Sequence, residues 1–236
     1  MSLGIGWNGS LTAPPQEPQL WLCPLRGADL SSLSALERDW GDGLREAQRQ
    51  RYWHSRAALR QQLAPVLGLG PAHVPLHSPP GRPPRLDQGL GWISLSHSGE
   101  GVLIGYSRQP IGVDLEPADR PLLAAGLMRR FYPVAEQARL QGLAGEDLRQ
   151  AVLTSWVLKE AAIKWRQRSL AAELSQWCYD HARGGLQHLG DGLQPDCCSA
   201  VHAGWRWAAV GAGCSRPNLH SLLSRRRTAS TMSQPP

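Results

Sequence analysis

Between residues 92 and 117 three strand-like runs, 92–96, 101–107 and 111–116, are separated only by the short links 97–100 and 108–110. Such links cannot carry the crossover of a dozen or more residues that parallel neighbours need, so this part of the chain is committed to antiparallel hairpin geometry. Pro117 ends the third run because it has no N–H to give a ladder. Helical patterns flank these runs. Residues 54–67 carry Ala57, Ala58, Leu63, Ala64 and Leu67 at helical spacing and are closed by Gly68 and Gly70. Residues 148–165 place apolar side chains at 152, 153, 156, 157 and 163. A strand is expected at 20–25, a helix at 33–50 capped by Ser32 or Ser34, a Pro/Gly-rich loop at 71–84, and short strands at 175–179, 185–189 and 205–210, while a Pro/Leu/Ala stretch leads into 136–140. The fold class expected is α+β.

The 236 residues suffice for one domain or for two compact halves of about 100 residues each. A hydrophobic content of 42% with 19% charged residues is that of a globular chain. The net charge of +6 points to anionic partners, although Arg225, Arg226 and Arg227 lie in a Ser-rich tail. The first fifteen residues lack a basic segment followed by an apolar run, and no stretch of about 18 apolar residues occurs, so a soluble, cytoplasmic protein is expected. Five cysteines without C-x-x-C spacing argue for reduced thiols and against a disulfide framework or a zinc site.

Three groups of residues can carry chemistry. Asp114 and Glu116 are one residue apart in an expected strand, so both carboxylates share a face. That arrangement suits magnesium, which binds through one or two carboxylates plus substrate phosphates; the alternative is a solvated strand end. The segment Trp156-Val-Leu-Lys159-Glu160-Ala-Ala-Ile-Lys164 lies in the second long helix, where Glu160 and Lys164 share a face and could form a surface ion pair worth only about 0.3–0.5 kcal/mol. Composition favours function instead, because Lys159 and Lys164 are the only lysines among 25 cationic residues. A compact ammonium suits a pyrophosphate beside a metal where a planar guanidinium fits less well. Finally, Ser94-Leu-Ser96-His97-Ser98-Gly99 ends a strand, where His97 and backbone N–H groups can meet a phosphate. Neither G-x-x-x-x-G-K-[ST] nor a helix-opening G-x-G-x-x-G is present.

Ile111-Gly-Val-Asp114-Leu-Glu116 and Trp156-Val-Leu-Lys159-Glu160-Ala-Ala-Ile-Lys164 resemble the two signatures of the 4′-phosphopantetheinyl transferases, in the long single-chain form associated with surfactin and siderophore synthesis. Ser55-Arg56-Ala-Ala-Leu-Arg60, Gly81-Arg82-Pro83 and Leu95-Ser96-His97-Ser98-Gly99 are weaker matches in the same order. Arg82 stands where the family commonly has lysine, and residues 165–170 lack the usual glycine-containing stretch.

The resemblance implies two similar halves forming a pseudodimer, with the coenzyme A site in the cleft between them. On that reading the chain divides into a disordered segment 1–17, an N-terminal half 18–110, a C-terminal half 111–212 with the metal motifs, and a disordered basic tail 213–236. It implies magnesium held by Asp114, Glu116 and Glu160, with Glu160 and Lys164 catalytic and Glu160 the base. Arg56, Arg82, His97, Lys159 and Lys164 would bind coenzyme A. The partners implied are coenzyme A and an apo acyl or peptidyl carrier protein, met by a monomeric enzyme. Two other readings compete: a magnesium-dependent phosphohydrolase with similar carboxylates, and a basic nucleic-acid-binding protein with ten tryptophans available for stacking. The tryptophans are scattered and no RNA-binding signature accompanies them.

Overall fold

The computed structural model describes residues 15–223. Strand β1 (Gln19–Pro24) is followed by helices α1 (Ala35–Asp42) and α2 (Glu46–Leu67). Ser34 caps α1 in a reciprocal box with Glu37, satisfying two otherwise orphaned N–H groups. The helix expected over 33–50 stops at Gly43, and α2 begins eight residues before the expected position 54, at Glu46. Packing explains the break: a side chain on Gly41 would meet the Trp53 ring, so the two helices turn tightly against each other. Gly68 ends α2 in the left-handed conformation, with φ of 65°.

The expected loop contains a small hairpin of β2 (Leu76–His77) and β3 (Arg85–Leu86). Strands β4 (Trp92–Ser98), β5 (Gly101–Ser107) and β6 (Ile111–Pro117) follow. Beyond them lie α3 (Ala124–Phe131), α4 (Val134–Leu140), α5 (Gly145–Trp165) and α6 (Leu170–Glu173). The chain continues through β7 (Trp177–Asp180), β8 (Gly185–His188), β9 (Cys197–His202), β10 (Trp205–Gly211) and β11 (Asn218–Ser221).

The architecture is α+β, with two larger sheets. One has the order β11-β1-β5-β4 and the other β6-β10-β9. β4 and β5 form the expected antiparallel hairpin, but β6 leaves it and pairs antiparallel with β10, Asp114 opposite Ala208 and Glu116 opposite Arg206. Leu20, Leu22 and Leu103 of the first sheet pack against Val113, Leu115 and Trp207 of the second. α2 covers the other face of the first sheet, with Leu59 and Leu63 against Trp21, Val102 and Ile104. α5 covers the second sheet, with Val157, Leu158 and Ala161 against Ala208 and Val210. Each helix thus buries one apolar stripe, the main source of its stability.

One glycine sets the distance between helix and sheet. A Cβ on Gly112 would lie 1.9 Å from the Ala161 carbonyl oxygen, so only glycine lets α5 rest on β6 at that point.

The tail expected to be disordered from residue 213 instead supplies β11, which pairs parallel to β1 with Gln19 opposite Asn218. His220 stacks on Trp21 at 5.7 Å, and Asn218 Nδ2 donates to Gln19 Oε1 at 3.2 Å. The remainder of that tail, including Arg225 to Arg227, and residues 1–14 of the N-terminal segment lie outside the described residues. Among the described residues no helix is long and apolar enough to cross a membrane.

Candidate active site

Four elements bring the chemistry together. β6 carries Asp114 and Glu116, and α5 carries Glu160 and Lys164, one helical turn apart. β4 carries Ser96, His97 and Ser98, while α2 supplies Arg56. The close approach at Gly112 lays Lys164 over Asp114. Lys164 Nζ donates to Asp114 Oδ1 at 2.6 Å and to Ser96 Oγ at 3.0 Å. Ser96 Oγ donates to the same Oδ1 at 2.8 Å, which leaves Asp114 Oδ2 buried with no partner. Ser98 Oγ donates to Glu116 Oε2 at 2.8 Å, and Glu116 Oε1 pairs with Arg120.

The electrostatics follow from this crowding. Burial, followed by the negative charge of Asp114 and further that of Glu116, pushes the Glu160 carboxyl up to about 7 against the pull of Lys164 and Arg120. Burial also raises Glu116, opposed by the Ser98 hydrogen bond and by Arg120. His97 is held below the ordinary imidazole value, first by burial of its ring and then by the cations Arg51, Arg56 and Lys164.

Three carboxylates that disfavour each other's charge, one with an unpartnered buried oxygen, are a donor set suited to a hard divalent cation. Asp114, Glu116 and Glu160 therefore fit magnesium by chemistry. Among the described residues no three such groups are already gathered at ligating distance, and the Lys164 ammonium is the cation beside Asp114.

Above this floor opens a cleft of about 1290 Å³. It exceeds the roughly 300–1,000 Å³ usual for small-molecule sites and so suits a long ligand. Arg56, Arg82 and His97 line one part of it, and Asp114, Glu116, Glu160 and Lys164 line the floor. Arg56 is itself buried, its Nε donating to the Ser78 carbonyl at 3.3 Å and its guanidinium lying 5.0 Å from the Tyr52 ring centroid. Cationic walls over an acidic floor suit a polyphosphate bridged to protein by a metal ion.

Seven of the eight residues singled out from the sequence line this cleft; Lys159 does not. Its side chain is fully buried, with Nζ 2.7 Å from Glu136 Oε2 and 3.6 Å from the Tyr132 ring centroid. One residue along a helix is a rotation of about 100°, which turns Lys159 into the core while Glu160 faces the cleft. Burial lowers the Lys159 pKa, opposed by Glu136. It ties α4 to α5, and the structure does not bring it to the cleft where a coenzyme A contact was expected.

Sequence reasoning missed the carboxylate contacts of Ser96 and Ser98. The available signal was serine at every second position, 94, 96 and 98, of one strand. It also missed Arg108 and Arg168 on the cleft wall, which no motif marked.

Residues 110–210 match the family model of the 4′-phosphopantetheinyl transferase superfamily. The matched segment contains Asp114, Glu116, Glu160 and Lys164 and leaves Arg56, Arg82 and His97 outside. A comparison with curated proteins found no match.

Proposed function

We propose that the protein transfers the 4′-phosphopantetheine group of coenzyme A to a serine of an apo acyl or peptidyl carrier protein, in a magnesium-dependent reaction. The carrier serine oxygen attacks the phosphorus bearing the pantetheine arm. The bond from that phosphorus to the bridging oxygen breaks, and adenosine 3′,5′-bisphosphate leaves with the oxygen. The observation that carries this reading is geometric: Asp114, Glu116, Glu160 and Lys164 line the same cleft as Arg56, Arg82 and His97, which sets carboxylates for a cation beside cations for phosphates. Glu160 is the carboxylate proposed to take the serine proton, directly or through a water.

Arg56, Arg82 and His97 hold the nucleotide phosphates, and Lys164 neutralises the pyrophosphate near the reacting phosphorus. Asp114, Glu116 and Glu160 would hold magnesium, which when bound supplies charge stabilisation on the pyrophosphate oxygens. The likeness of the two halves is supported by their common plan, a long helix laid on an antiparallel pair of strands in each. An acidic carrier is favoured by the net charge of +6, chiefly through steering. The enzyme acts as a monomer, since one chain supplies both walls of the cleft.

Chromatography of the nucleotide product tests the reaction class. Adenosine 3′,5′-bisphosphate should be released from coenzyme A only when apo carrier is added. Release with water as the sole acceptor would instead identify a phosphohydrolase.

A further inference from the structure

β4 and β6 belong to different sheets, yet they run side by side at the floor of the cleft, and serine side chains join them. Ser94 Oγ accepts the Val113 N–H at 3.0 Å, Ser96 Oγ donates to Asp114 at 2.8 Å, and Ser98 Oγ donates to Glu116 at 2.8 Å. The spacing is dictated by the strands. Side chains at 94, 96 and 98 leave β4 on one face, and those at 114 and 116 leave β6 on one face. Two runs of period two therefore meet residue for residue. A slip of one position in either strand would turn every one of these groups away.

The hydrogen-bond inventory fixes more than proximity. A serine hydroxyl has one hydrogen to donate and lone pairs to accept. At Ser96 the Lys164 ammonium is the donor to Oγ at 3.0 Å, so the single serine hydrogen goes to Asp114 Oδ1. Ser96 and Lys164 together occupy that oxygen and leave Oδ2, buried and without a partner, as the oxygen free to bind an ion. At Glu116 the arrangement differs, each oxygen having its own partner: Oε2 accepts from Ser98 and Oε1 pairs with Arg120, at the solvent-facing edge of the site.

We infer that Ser96 and Ser98 are positioning residues that orient the Asp114 and Glu116 carboxylates for a divalent cation, so that the ion site is complete only with β4 docked on β6. Ser94 belongs to the same ladder but bonds backbone alone and serves only to dock the strands. The inference rests on the proposed metal-dependent transfer, yet it makes its own demand: an ion held mainly by residues of 110–210 depends on hydroxyls outside that segment.

Manganese binding to the full chain, followed by the paramagnetic resonance signal of free Mn²⁺ and without coenzyme A or carrier, tests it. Partners outside the ligand shell typically tune metal affinity by roughly 10- to 100-fold. Ser98→Ala should weaken Mn²⁺ binding about tenfold and Ser96→Ala/Ser98→Ala about 100-fold. Ser98→Thr, which keeps the hydroxyl, should restore most of the loss. Ser94→Ala should lower the melting temperature while leaving affinity within about twofold, because no carboxylate loses a donor. Wild-type affinity in Ser98→Ala and in the folded double variant would overturn the inference while leaving the metal reading intact. Wild-type protein that binds no Mn²⁺, or binds it equally well as Asp114→Ala, would overturn both.

Discussion

Helix α5 carries two lysines five residues apart, each facing a carboxylate, and their surroundings make them different devices. Lys159 and Glu136 are both fully buried and sealed beneath Tyr132, whereas the Lys164 side chain is 32% exposed and meets Asp114 at the floor of the cleft. The first pair exchanges hydration for a single fixed geometry, and breaking it leaves a bare charge in the core. The second keeps access to solvent and ligand, so its ammonium can change partners. Motif spacing treats the two lysines alike; burial separates a residue that holds the fold from one that opens on the cleft.

The largest effect expected is on stability. Lys159→Ala should destabilise the protein by about 3–5 kcal/mol, read from denaturant unfolding, because Glu136 is left buried and unpaired. Lys159→Met with Glu136→Leu should recover most of that loss, since a matched apolar pair can replace a buried ion pair at little cost. If Lys159→Ala is harmless, the contrast between the lysines fails.

Next comes pH. The Glu160 carboxyl is raised from 4.5 to about 7 in the folded state, so between those values the folded protein holds a proton that the unfolded chain has released. Metal-free stability should therefore fall as pH rises through this window, by about 1.4 kcal/mol per unit at most and roughly 3 kcal/mol in all. Glu160→Gln should flatten that slope in unfolding curves taken across the same window, while Lys159 variants should retain it.

Lys164→Ala should reverse the Lys159 pattern. Transfer activity should drop about 100-fold, equivalent to ~2.7 kcal/mol at the transition state, while stability changes by no more than about 1 kcal/mol. A smaller effect is expected at the end of the same helix. Gln167 lies just past α5 with φ of 54°, a left-handed conformation that glycine adopts without strain. Gln167→Gly should raise stability by up to about 1 kcal/mol, seen as a small rise in melting temperature, without disturbing either lysine pair.

The segments most legible in the sequence were those with a strong period. β5 spans the expected 101–107, and β4, β6, α5 and β10 lie within a few residues of their expected places; β5, β6, α5 and β10 bury apolar side chains, while the buried positions of β4 are Ser94 and Ser96. α3 and β9 escaped notice because their residues are half-buried or exposed, so no buried stripe marked them. β11 was hidden for a different reason: its pairing with β1 joins residues some 200 apart, a contact that local composition does not carry. The same limit applies within the site. Asp114, Glu116, Glu160 and Lys164 were marked by spacing, whereas the inward turn of Lys159 depended on Glu136 and Tyr132 reaching it from elsewhere in the chain. Gly112 stood in the motif from the start, but its reason, the Ala161 carbonyl against β6, exists only once helix and sheet have packed.

Intact-mass spectrometry of an apo carrier protein, incubated with coenzyme A, magnesium and either the wild-type chain or Glu160→Ala, tests the central claim most directly. The account predicts that the carrier gains one phosphopantetheine mass with the wild type, and that the gain disappears with the variant or with a chelator. Unmodified carriers of the fatty-acid, polyketide and peptide types alike, in the presence of folded wild-type protein, would contradict it.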